Sequence, residues 1–199
     1  MQLRNSLDKH LKIRKSIEDS IKLKSAILND NIIQDAISEI IEKIVHCFQN
    51  KRKVFFCGNG GSAADSQHLA SEFSGKFYLD RKPLNAEALH VNSSYLTAIA
   101  NDYSFTEVFA RALEAKGSKA DILVCLTTSG KSENILSVLK KAKEMEIITV
   151  CFLGNETKYT QQLTDIQISV PSIETPRIQE AHMLIGHIIC EQVENQLFG

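Results

Sequence analysis

The chain has 199 residues, 43% of them hydrophobic and 24% charged, with a formal net charge of −1 and an isoelectric point near 6.6. That is enough chain for one substantial core, and the composition is ordinary for a globular protein, so a single domain over 1–199 is expected. The near-neutral charge argues against bulk electrostatic binding to nucleic acid or an anionic membrane, and no apolar run approaches the roughly 20 residues that span a bilayer.

The N-terminal stretch MQLRNSLDKHLKIRK is polar and charged, without the apolar segment of a secretory signal. Residues 1 to about 29 read as an amphipathic helix, with Leu3, Leu7, Leu11, Ile17, Ile21 and Leu28 at helical spacing. A second helix is expected at about 31–49, where Ile33, Ile37, Ile40, Ile41, Ile44 and Phe48 make a broad apolar face. Two long helices are more than a minimal α/β domain needs. The first stripe is either intrachain core or a surface for subunit packing.

From residue 53 short apolar runs alternate with turns and helical patterns. Lys53–Cys57 reads as a strand, Gly58–Ser62 as a turn, and a helix follows to about Lys76. Asn85–Val91 reads as a second strand, with helical pieces at about 93–100 and 104–115. Asp121–Leu126 reads as a strand, apolar from Ile122 on, ahead of a helix to about Glu146. Ile147–Leu153 is the next strand, followed by Gly154 and a short helix. Asp165–Val170 is the last strand, and a final helix covers about 177–197. The alternation predicts an α/β fold, a three-layer αβα sandwich around a mostly parallel sheet. The five cysteines are scattered through mostly apolar runs with no CxxC pair, which fits buried free thiols in a reducing, cytoplasmic setting.

In such sheets ligands bind beyond the carboxyl ends of the strands. The first Gly-rich turn there, Gly58-Asn59-Gly60-Gly61-Ser62, lets the backbone approach an anion, with Ser62 placed to cap the next helix. A tight strand-to-helix turn without a ligand is the plainer alternative. A second loop, Thr127-Thr128-Ser129-Gly130-Lys131-Ser132, supplies four hydroxyls within six residues. Two such loops on one sheet favour a phosphate monoester.

His68 and Glu72, at i and i+4, face one way on the helix after the first loop. Such a pair suits metal ligation or acid–base work, although it is as ordinary on a plain surface. Gln179 and His187 interrupt the apolar C-terminal helix eight residues apart, roughly 12 Å along a helix axis. That span is long for one metal, unless the helix bends, the side chains stretch or a neighbouring chain contributes. A satisfied core histidine is the plain alternative for His187.

Four ordered segments, CGNGGSAADSQHLASEF, TAIANDYSFTEVFAR, TTSGKSEN and ETPRIQEAHMLIGHIICEQVE, resemble the sugar isomerase (SIS) domain family, and within it the phosphoheptose isomerase branch. The resemblance implies that Asn59, Gly60, Gly61 and Ser62, with Thr127, Thr128, Ser129 and Ser132, hold a sugar phosphate. It implies substrate contacts from Asn101, Asp102, Glu72 and Gln179, and a zinc ion on His68, Glu72, Gln179 and His187. Glu72 and His187 would be its acid–base pair in an aldose–ketose isomerisation of sedoheptulose 7-phosphate. It further implies a homotetramer with sites built between subunits. Three departures stand out: Thr127 where the family usually has Ser, Lys131 where Asn is common, and Lys76 where Arg is common, the last losing a bidentate fork. Two rivals are an isomerase of another phosphosugar and a non-catalytic SIS adaptor that binds the bacterial replication initiator. The adaptor lacks the acidic residue and the final histidine present here as Glu72 and His187.

Overall fold

The structure, a computed structural model, describes the backbone of residues 2–199 and the side chains of residues 9–199. Five strands form one sheet, all pairs parallel, in the order β2-β1-β3-β4-β5. They are β1 Val54–Gly58, β2 Ala86–Ala88, β3 Ile122–Thr127, β4 Ile148–Leu153 and β5 Ile166–Ser169. Side chains alternate between faces. Val54, Phe56, Val124 and Phe152 point to one core, while Phe55, Cys57, Leu123 and Leu153 point to the other. Both faces of the central strands are therefore apolar and covered, as an all-parallel sheet requires.

The first core is closed by α2 (Asn31–Gln49), α3 (Gly61–Ser74) and α7 (Thr175–Phe198). The second is closed by α5 (Val108–Lys116) and α6 (Glu133–Glu144), with α4 (Ser93–Asp102) beside them. The predicted αβα sandwich is thus observed. Several details differ. The second strand stops at Ala88, because Leu89 is the last residue whose N–H reaches the Phe56 carbonyl. The helix predicted at 104–115 is split by a 3₁₀ turn at Phe105–Glu107. The short helix expected after Gly154 is a run of turns, in which the Thr160 and Thr164 hydroxyls bond to nearby carbonyls and compete with helix formation.

Helix α1 (Gln2–Leu28) divides its apolar residues between the core and the outside. Leu23 and Ile27 are buried in the core, and Ser20 and the Ser16 carbonyl bond to Glu180 and Arg177 of α7. Leu11, Ile17, Ile21 and Leu28 of the predicted stripe are 56–71% exposed, while Leu3 and Leu7 lie outside the described side chains. All five cysteines are free and buried, and burial pushes the Cys47 thiol up to about 12.

His182 on α7 is wholly buried, with Nε2 facing the Leu153 carbonyl at 3.2 Å, so the ring donates there and is neutral. Burial pushes its pKa down to about 4, against 6.5 for a free histidine. Between those values the unfolded chain binds a proton that the folded chain refuses. The stability this residue supports is full above about pH 6.5 and falls as the pH drops towards 4, by on the order of 3 kcal/mol. Chemical denaturation across that window should show the fall in the native chain and a flatter dependence in His182→Gln. Equal slopes would remove His182 as the cause.

Candidate active site

The strand order 2-1-3-4-5 reverses direction between β1 and β3, and that is where a crevice opens beyond the carboxyl ends of a doubly wound sheet. The loops after β1 and β3 face each other there. A hollow of about 320 Å³ is lined by Asn59, Gly60, Gly61, Ser62, Thr127, Thr128, Ser129 and Ser132, joined by Leu126, Thr175 and Gln179. Every loop residue picked out in the sequence for phosphate binding is among them.

Three helices begin at this hollow, α3 after Gly60, α6 after Ser132 and α7 at Thr175. None of the three has a side-chain cap, whereas Asp30 and Asn92 cap α2 and α4. Uncapped N–H groups and three positive dipole ends converge where an anion would sit. Ser62 is not a cap, as its position had suggested; it lies inside the first turn of α3, buried, with Gly60 in the cap position. Gly60 turns at φ +57°, which side chains disfavour. A Cβ on Gly61 would lie 2.9 Å from Cδ of Gln179, so a side chain there would displace the Gln179 amide.

Two groups stiffen the loops from within. Asn59 and Asn134 exchange a reciprocal pair of amide hydrogen bonds, both 2.9 Å, tying the first loop to α6. The Thr127 hydroxyl accepts from the Gly130 N–H at 3.2 Å and so closes its own turn. The Thr128 and Ser132 side chains also line the hollow, and Lys131 is exposed beside it.

Helices α3 and α7 run side by side in the same sense, with Gly61 against Gln179 near their starts and Leu69 against Gly186 two turns on. This brings His68, Glu72 and His187 of one chain together. Nε2 of His68 lies 3.0 Å from Nε2 of His187 and 3.2 Å from Oε1 of Glu72. One ligand atom from each residue falls within 4.8 Å of the others. Two imidazole nitrogens and a carboxylate oxygen are the donor types that zinc takes, and their spacing lets one ion touch all three. No side chain from a neighbouring chain is needed to gather them.

Gln179 sits nearer the loops, between the phosphate hollow and a second, open cleft that it lines together with His187. Asn101 and Asp102 are exposed at the end of α4, bonded to each other at 2.8 Å, and line neither cavity. Lys76 is also exposed and lines neither. Asp65 was not singled out by the sequence. It lines the cleft with Gln179 and His187, and its Oδ2 is buried without a hydrogen-bond partner. Burial raises its pKa, with His68 acting in the opposite direction. The signal was its place at i−3 from His68 and i+3 from Ser62 on α3.

Comparison with known proteins places this architecture. The profile described as "SIS domain" matches residues 18–154. Phosphoheptose isomerase of Clostridium acetobutylicum is 50% identical over 187 residues, covering 94% of this chain and 95% of the relative. The Mycobacterium tuberculosis protein of the same name is 44% identical, covering 91% and 92%. Among solved structures, a phosphoheptose isomerase from Francisella tularensis superposes with a TM-score of 0.89 at 37% identity, covering 96% and 98%. That from Neisseria gonorrhoeae gives 0.87 at 34% identity, covering 94% and 98%.

Proposed function

We propose that this chain, which belongs to the SIS domain family and is an isomerase of its phosphoheptose isomerase branch, converts sedoheptulose 7-phosphate to D-glycero-D-manno-heptose 7-phosphate through an enediol intermediate. The observation that carries the reading is the pairing of a phosphate hollow with a His/Glu/His cluster along the same two helices, α3 and α7. From Gly61 to His68 is about 10 Å of helix rise, a span suited to a sugar phosphate lying along α3 with its reacting carbons at the cluster.

The loops hold the phosphate and so fix where the far end of the sugar lies. Glu72 takes the proton from C1 of the ketose. His187 returns a proton at C2, and with the hydroxyl proton passing from O1 to O2 the aldose is complete. His68, with its Nε2 3.0 Å from His187 and 3.2 Å from Glu72, lies between them and orients them. His68, Glu72 and His187, with Gln179 as a fourth donor, would hold a zinc ion, and such an ion would supply Lewis-acid polarisation of the sugar's oxygens. Gln179 stands where it can also contact the middle of the sugar, and Asn101 and Asp102 would contribute from an assembled oligomer.

The exposed apolar face of α1 supports subunit packing, and we read the assembly as a homotetramer formed by one domain spanning 1–199. Among the described residues no helix is long and apolar enough to cross a membrane. A cytoplasmic enzyme at the first step toward the activated heptose of surface glycans fits these features. The adaptor reading has less support, because Glu72 and His187 are present and meet in one cluster.

Incubation with sedoheptulose 7-phosphate should yield the aldose phosphate, resolved by NMR. Stripping the enzyme with a chelator should lower the rate at least about ten-fold, and added zinc should restore it. No product with zinc present would sink the substrate assignment, while an unchanged rate after stripping would sink the zinc.

A further inference from the structure

Behind the cluster lies a buried ion pair that the reaction does not use. The Arg81 and Glu194 side chains are 3% and 1% exposed, with Nε of Arg81 2.9 Å from Oε1 of Glu194. Arg81 lies within the loop between α3 and β2, and Glu194 is near the end of α7. The guanidinium spends its remaining donors on backbone. Nη2 donates to the carbonyl of Glu72 at 2.8 Å, and Nη1 donates to those of Phe73 at 2.6 Å and Gly75 at 2.9 Å. These three belong to the end of α3, where carbonyls have no helical partner, and Nη1 also reaches the Lys82 carbonyl at 3.2 Å. The glutamate accepts three consecutive N–H groups, from Phe77 at 3.1 Å, Tyr78 at 2.6 Å and Leu79 at 2.9 Å. That fixes the loop so that the Phe77 ring lies 5.8 Å from the His187 ring.

One buried pair therefore grips the backbone of Glu72 on one side and sets the ring that backs His187 on the other. We infer that Arg81 and Glu194 are positioning residues that hold Glu72 and His187 in register with each other. The inference rests on the proposed roles of Glu72 and His187. Groups that orient catalytic or metal-binding side chains from behind commonly change activity or metal affinity about 10–100-fold when altered.

Arg81→Lys keeps the charge opposite Glu194 but cannot fork across three carbonyls, whereas Arg81→Met removes both. Two quantities would be read on folded protein: kcat and KM with sedoheptulose 7-phosphate, and zinc affinity by competition with a chromophoric chelator. We expect kcat to fall about ten-fold in Arg81→Lys with KM within about two-fold, a further fall in Arg81→Met, and zinc affinity to weaken in the same order. A folded Arg81→Lys and Arg81→Met that keep both quantities at native values would overturn the inference. Should either variant fail to fold, Phe77→Leu leaves the ion pair intact and tests the His187 side. It should weaken zinc binding several-fold, and native affinity there overturns the inference equally. If the native chain proves inactive on sedoheptulose 7-phosphate, the substrate reading falls, and the zinc affinities still decide the positioning role.

Discussion

Glu72→Gln should abolish turnover of sedoheptulose 7-phosphate, lowering kcat by about 10³-fold or more while leaving the fold in place. The physical ground is specific to this side chain. The amide is nearly isosteric and its oxygen can still accept from His68, now 3.2 Å from Oε1, so the α3 face keeps its shape. The side chain is only 20% exposed and contacts groups of its own chain, so little else depends on its charge. What is lost is a proton acceptor above C1, and removal of a general base costs about 10²–10⁴-fold. The negative donor of the proposed metal site is lost with it, and that adds to the fall. Hydrogen exchange at C1 in heavy water should also cease, because no group remains to take that proton. A Glu72→Gln enzyme retaining a tenth of native activity would remove Glu72 from the chemistry.

The strands were legible in the sequence because short runs such as Ile122–Leu126 and Ile147–Leu153 are apolar at all or nearly all positions and lead into turns, as strands of a sheet covered on both faces do. The two loops were legible because each follows an apolar strand and opens a helix, and two such Gly/Ser/Thr turns on one sheet favour an anion over plain capping. Helix α1 shows where such reading stops. Periodicity marks an apolar stripe, but not what covers it. Leu23 and Ile27 turned out to face α7, and the stripe that had been picked out faces outward. Ser62 was misplaced by two positions relative to the helix start, because a glycine at φ +57° begins α3 without a capping side chain.

The distance between Gln179 and His187 was the hardest part to read. Along one helix eight residues separate them, yet both side chains line the same open cleft. Gln179 meets the first loop, and His187 meets His68 two turns further on, because α3 runs beside α7 in the same sense. No local pattern carries that information. The same holds for the Asn59–Asn134 amide pair and for Arg81, whose ties to Glu72 and Glu194 exist only once the chain has folded.

His187→Gln should stop isomerisation as completely as Glu72→Gln, yet leave half of the reaction running. If Glu72 takes the C1 proton and His187 delivers one to C2, the two steps are separable. In heavy water the His187→Gln enzyme should bind sedoheptulose 7-phosphate through the intact loops, remove a C1 proton and return deuterium to C1. The recovered ketose would gain mass, with aldose formation down about 10³-fold. Glutamine at this position is uncharged and cannot titrate, so no neighbouring pH change should restore the second step. The same variant removes one nitrogen from the cluster, so exchange should be measured with saturating zinc, where weakened metal binding is compensated by mass action. Both activities lost at saturating zinc would mean that His187 acts before the enediol rather than after it. Both activities retained would leave His187 as a core histidine that happens to face His68 at 3.0 Å.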